Sequence, residues 1–169
     1  MPTPSPDKRP ARRLTRLALL TAIALAVFMV EVYIPLPVPL PGVKLGLANI
    51  VTVYAMFALG PGDALLILLA RLLLGSMFSS QMLAYSLAGA LACYLAMLAL
   101  RALGRRRMWL CSCLCGAVHN AAQLAVALVI TGTWQVAVYL PWLILAGLAA
   151  GLFTGVCAQA LTDRLKLLP

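Results

Sequence analysis

Acidic residues are rare in this chain, which has only four among 169 residues: Asp7, Glu31, Asp63 and Asp163. No two of them stand at a spacing that would hold a metal ion or form an acid–base pair. The single histidine has no obvious nucleophile partner, and no Gly-Lys-Ser/Thr motif for nucleotide phosphates is present. We therefore expect a protein that is not an enzyme, has no cofactor or metal, and does not hydrolyse ATP itself.

Charge of either sign is also scarce, because 10% of the residues are charged while 64% are hydrophobic and the mean hydropathy is +1.02. Soluble domains carry about 25% charged residues. Apolar runs predict an all-α integral membrane bundle of six transmembrane helices, of which the second and third are shorter than the ~20 residues that cross a bilayer and would draw on flanking loop residues. The predicted spans are residues 14–34, 45–59, 63–75, 81–103, 108–130 and 136–161. We expect Asp63 to cap the third helix.

Basic residues predict the orientation of these spans. With the N-terminus inside, eleven of the thirteen Lys and Arg residues fall on the inner side, and only Lys44 falls in an outer loop. Because cytoplasmic loops retain Lys and Arg, both termini are expected in the cytoplasm of a bacterial cell, with a multi-pass protein in its cytoplasmic membrane. Residues 1–13 are expected to be a disordered basic tail, and residues 14–169 a single domain. The net charge of +9 indicates contact with anionic headgroups of the lipid bilayer, not with nucleic acid.

Five cysteines add little to the functional assignment. Cys111, Cys113 and Cys115 alternate, so only the first and last share a helix face, which makes a poor metal site. We interpret the cysteines as small apolar packing residues.

Arg71 is the most informative polar residue within a predicted span. Burying an arginine in lipid costs about 2.5–3.5 kcal/mol on insertion scales, so its side chain should face the protein interior. Its guanidinium suits a carboxylate, phosphate or polarised carbonyl of a ligand. The alternative is a structural role, paired with Glu31 or with backbone carbonyls.

A second polar cluster lies in the fifth span. His119 and Gln123 are four residues apart and share a helix face, whereas Asn120 is offset and could face a neighbouring helix. Such a stripe lines a binding cavity or forms hydrogen bonds between helices. The three residues together favour a cavity.

The outer segment 35–46 is rich in proline, with Pro at positions 35, 37, 39 and 41. Proline enforces an extended path, and the intervening apolar side chains could enter a cavity. We interpret the segment as a lid, with Lys44 and Asn49 at its mouth. A plain interfacial connector is the alternative.

Small residues recur every four positions in three spans, and such ridges allow helices to approach closely. Internal packing is expected for the ridges of the fourth and sixth spans. The series are Ala18, Ala22 and Ala26 in the first span, Ala84, Ala88, Ala92 and Ala96 in the fourth, and Gly147, Gly151 and Gly155 in the sixth.

Several of these segments together resemble one known family. The run 41–49, which reads PGVKLGLAN, is similar to a signature of the Gx transporter family, long labelled heptaprenyl diphosphate synthase component I. Three further stretches are similar to that family: RLLLG at 71–75, GAVHNAAQ at 116–123, and 140–155 with its glycines.

The resemblance implies a relation to the substrate-binding S components of energy-coupling-factor (ECF) transporters. Those six-helix proteins bind substrate in a pocket that a first outer loop gates, and they dock on a transmembrane coupling subunit served by two ATPases. Docking uses an alanine-rich face of the first helix, which Ala18, Ala22 and Ala26 match here. The expected function is substrate capture for ATP-driven uptake of a small molecule with an anionic or carbonyl-bearing head.

The site residues expected on this interpretation are Arg71, His119, Asn120 and Gln123 in the pocket, with Lys44 and Asn49 in the gate. The synthase label implies an alternative. Because the chain has no aspartate-rich magnesium motif, that role would be accessory, in polyprenyl diphosphate or quinone synthesis or in flavin- or quinone-linked electron transfer.

Overall fold

A computed structural model describes residues 8–33, 46–77, 83–103 and 105–166 of the chain. Within these residues it is all-α, as the sequence predicts. The described residues form six α-helices: α1 (Lys8–Val32), α2 (Asn49–Ala58), α3 (Pro61–Ser76), α4 (Leu83–Leu100), α5 (Met108–Thr131) and α6 (Leu140–Lys166). Short 3-10 turns at Arg101–Leu103, Arg105–Arg107 and Trp134–Tyr139 lie between the later helices.

The first and third helices begin earlier in the sequence than predicted. Helix α1 starts at Lys8, inside the predicted disordered tail, because Arg and Ala are good helix formers and Pro10 is tolerated in a first turn. Helix α3 starts at Pro61 after Gly60, which has a φ of 122°. The prediction that Asp63 caps α3 is wrong, since its carboxylate instead accepts two hydrogen bonds from Arg13.

A glycine marks the end of α5, and a proline marks the start of α6. Helix α5 ends where Gly132 adopts a left-handed φ of 62° and its N–H bonds to Leu128 O at 3.0 Å, one residue beyond the predicted end of the span at residue 130. Helix α6 begins at Leu140, four residues later than predicted. Pro141 stands in its first turn, where a missing N–H leaves no intrahelical bond unmade.

Helix α2 lies at the centre of the bundle and contacts α1, α3, α5 and α6. Most of its side chains are buried on every side, including Val53, Ala55 and Met56. Its ten residues extend only about 15 Å, half the hydrocarbon thickness of a bilayer. Within the described parts of the chain, four helices are long and apolar enough to cross a membrane, and their spans are Pro10–Glu31, Leu83–Leu100, Met108–Thr131 and Trp134–Arg164.

The most extensive packing joins α5 and α6, and a glycine ridge makes it possible. A Cβ atom added to Gly155 would lie 2.6 Å from Trp109 Cα, and one added to Gly151 would lie 2.9 Å from Cys113 Cα. The backbones therefore touch at positions where no side chain fits. The predicted internal packing of the ridge on α6 is confirmed.

Three alanines of α1 face away from the bundle. Ala18, Ala22 and Ala26 are all exposed, while Ala24 and Phe28 on another face of the same helix are buried. Helix α1 packs mainly against α3 and α2, so its alanine face is left uncovered by the described residues.

Candidate ligand-binding site

Arg71 is a buried cation near the last turns of α3, with 4% of its surface exposed. Its Nη2 donates a hydrogen bond to Asn49 Oδ1 at 3.1 Å, at the first turn of α2. Its Nε is buried and has no partner among the described residues. A neutral amide satisfies only part of a guanidinium's five donors, so this arginine retains unused hydrogen-bonding capacity.

Glu31, near the end of α1, lines the same cavity as Arg71 but bonds elsewhere. Its carboxylate accepts the N–H of Gly46 and, at 3.4 Å, the N–H of Ala48, just before α2 begins. Gly46 has a φ of 79°, which favours glycine at this turn. Among the described residues, no carboxylate lies within ion-pair distance of Arg71. Arg71 and Glu31 therefore form no direct ion pair, although both side chains line the same cavity.

His119 and Gln123 present one face of α5 to this cavity, as their spacing predicts. Both side chains are at most 5% exposed. Gly89 of α4 makes room for them, because a Cβ there would lie 2.8 Å from Gln123 Cγ and 2.9 Å from His119 Cε1. Ser86, one helical turn before Gly89, completes the wall.

These side chains converge on one small cavity of about 20 Å³, which has room for about one water molecule. In this conformation it is much smaller than the ~300 Å³ or more typical of ligand pockets. Four buried polar atoms on its walls lack a hydrogen-bond partner among the described residues: Arg71 Nε, Ser86 Oγ, His119 Nδ1 and Gln123 Oε1. Buried polar groups are nearly always bonded, so such a concentration indicates a place for a polar ligand or water.

Asn120 lies apart from this group. Its Nδ2 donates to Leu143 O of α6 at 2.8 Å, so its amide bonds across the α5–α6 contact, and it is not among the cavity's lining residues. Lys44 and residues 35–45 of the predicted lid lie outside the described residues. Asn49, assigned to the gate by sequence, instead stands inside the cavity wall as the partner of Arg71.

Sequence reasoning missed Ser86 and Gly89 of α4. A serine in an otherwise apolar span, three residues before a glycine, was the available signal, since both positions share a helix face. No group of three or more His, Cys, Asp or Glu side chains suited to a metal ion occurs within the described ranges.

Long apolar helices around a buried polar cavity define the class: a multi-pass membrane protein. The chain belongs to the heptaprenyl diphosphate synthase component I family, whose model matches residues 20–161. The resemblance seen in the sequence motifs is thus confirmed over most of the chain. No curated protein and no solved structure matches the chain.

Proposed function

We propose that this protein is the membrane-embedded, non-catalytic substrate-binding subunit of an ATP-driven uptake system, similar to an ECF S component. It spans the membrane six times with both termini in the cytoplasm. Its ligand is a small molecule with an anionic or carbonyl-bearing head. The observation that carries the proposal is the convergence of unpartnered buried polar atoms around Arg71.

The chemistry of the cavity supports an acceptor-rich ligand. Arg71 offers an unused N–H donor and a positive charge with no carboxylate paired to it among the described residues. Glu31, by contrast, already bonds to two backbone amides at the start of α2. Gln123 Oε1 supplies an acceptor, and Ser86 can donate or accept, so a ligand with both kinds of group would satisfy the site.

Ligand entry requires the bundle to open, because the cavity holds little more than one water molecule. Binding would then separate α4 and α5 from the start of α2, where Asn49 and Gly46 stand against the α5 wall. A conformational change of this kind suits a capture subunit, which must release its ligand after binding it.

The test is mass spectrometry of small molecules released from the gently purified protein and from Arg71→Met. We expect one stoichiometric water-soluble compound from the wild type and none from the variant, with similar folded yield. Arg107→Met, which removes an exposed arginine outside the cavity, is the control and should retain the compound. If Arg71→Met keeps the compound, the pocket assignment is wrong; if it fails to fold, Arg71 is structural.

The proposed partner is a transmembrane coupling subunit with two ATPases, docked on Ala18, Ala22 and Ala26. Their exposure supports this, since a docking face must be free of intramolecular contacts. Ala22→Trp should abolish co-purification of the coupling subunit from native membranes. Ala149→Trp, at an exposed alanine of α6, should not. Equal co-purification with both variants would exclude the alanine face.

A second candidate function is favoured by the family's own description as a synthase component. In that case the protein would be an accessory membrane subunit of polyprenyl diphosphate or quinone synthesis, or of flavin- or quinone-linked electron transfer. Co-purification of a prenyl synthase or flavoprotein, together with a bound prenyl or quinone lipid, would support it and contradict the uptake role.

A further inference from the structure

A second, larger cavity of about 290 Å³ lies at the opposite end of α1 from the Arg71 site. It is formed between the first turns of α1 and the connection from α2 to α3, and its lining residues are Arg12, Arg13, Arg16, Leu17, Leu59 and Asp63. Fifteen residues of helix separate Arg16 from Glu31, or about 22 Å, so the two cavities are distinct.

The charges of this cavity are unbalanced. Asp63 Oδ1 accepts from Arg13 Nε at 3.1 Å and from Arg13 Nη2 at 2.5 Å, which fixes that one arginine. Within the described ranges this is the ion pair that forms, and Arg12 and Arg16 have no carboxylate partner. Arg12 and Arg16 are four residues apart on one helix face, where like charges repel. An anion between their side chains would remove that repulsion.

The remaining walls determine what kind of anion fits. The guanidinium of an arginine can donate two parallel hydrogen bonds to phosphate oxygens, and those of Arg12 and Arg16 are both available for this in the cavity. Leu17 and Leu59 supply an apolar floor beside the arginines. A group with a phosphate and an attached apolar part therefore fits better than a bare ion.

We infer that Arg12 and Arg16 bind the phosphate group of a phosphate-bearing amphiphile, whose apolar part rests on Leu17 and Leu59. The phosphate comes from an anionic phospholipid of the bilayer or from a soluble organic phosphate. Asp63 limits the affinity, because it neutralises Arg13 at the rim of the site. This inference does not depend on the transport role.

The test is native mass spectrometry of the full chain, stripped of lipid in detergent and then exposed to phosphatidylglycerol. We expect lipid retention by the Arg12→Gln/Arg16→Gln variant to fall about tenfold or more below that of the wild type, since two charge-assisted hydrogen-bonding groups are lost. The control is Arg106→Gln/Arg107→Gln, which removes the same charge from exposed arginines outside the cavity. Equal retention by all three proteins, or equal loss in the control, would overturn the site.

A variant that should raise lipid retention distinguishes loss of the site from misfolding. Asp63→Asn releases Arg13 and should raise phosphatidylglycerol retention, whereas unchanged or lower retention would contradict the inference. Inorganic phosphate distinguishes the two sources. Displacement of the lipid by inorganic phosphate supports a soluble organic phosphate at the site, and failure to displace it supports the phospholipid.

Discussion

Polar side chains occur in two regions inside this bundle, and they are used differently. In the seam between α5 and α6, defined by Ser112, Asn120 and Thr154 with the glycines of α6, each of the three side chains makes a hydrogen bond to another group of the protein, although Asn120 Oδ1 has no partner among the described residues. In the cavity at Arg71, several buried polar atoms have no hydrogen-bond partner among the described residues. Residues of α5 contribute to both regions, and Asn120 directly follows His119. The role of a polar residue in a membrane helix therefore depends on which groups its side chain contacts.

The seam is closed by backbone contact, and breaking it should have the largest effect. Gly151→Leu would place a side chain where Cys113 Cα lies 2.9 Å from the added Cβ, so α5 and α6 must separate. Overpacking costs about 1–3 kcal/mol where side chains can adjust, and we expect at least this loss because backbone atoms are in the way. Thermal unfolding in detergent and the folded yield measure it.

Gly62→Leu is the matched control for that substitution. Gly62 stands in the first turn of α3, and an added Cβ there meets nothing within 4 Å. The control should keep the folded yield of the wild type. A comparable loss in both variants would show that the close approach of α5 and α6 is not what the glycines provide.

Replacing a polar residue of the cavity should have the opposite effect on stability. Gln123→Met keeps the size of the side chain and removes an amide oxygen that has no partner among the described residues. The free energy of unfolding of the empty protein should stay the same or rise by up to about 1–3 kcal/mol, because a desolvated acceptor is removed. Denaturant unfolding of ligand-free protein tests this, and a clear destabilisation would mean that Gln123 has a structural partner.

The smallest effect is expected for Ser112→Ala in the seam. The change deletes the 2.9 Å hydrogen bond between Ser112 Oγ and Thr154 Oγ1, and should lower the free energy of unfolding by about 0.5–1.5 kcal/mol. Thr154 keeps its bond to Gly151 O at 3.0 Å, so no orphaned hydroxyl is left and the loss should lie at the low end. The same unfolding experiment measures it, and a rise in stability would contradict the role given to the seam.

Sequence patterns predicted the helices well because hydropathy and helix-breaking residues are local properties. The start of α6 could have been placed better from Pro141, and that of α1 from the helix propensity of its basic residues. The spacing of His119 and Gln123 fixed their common face in advance. The contact of Arg71 with Asn49 could not be predicted, since it depends on which helices become neighbours. Tertiary packing likewise decides that His119 lines the cavity while Asn120 bonds across the contact between α5 and α6.

The most direct test of this account compares the ligand content of Gln123→Met and Ser112→Ala, two buried positions on the same helix. Small molecules released from each purified variant are quantified by mass spectrometry beside the wild type. We expect Ser112→Ala to retain the wild-type compound and Gln123→Met to have lost it. Retention by both variants, or loss from both, would contradict the distinction between a structural seam and a ligand-binding cavity.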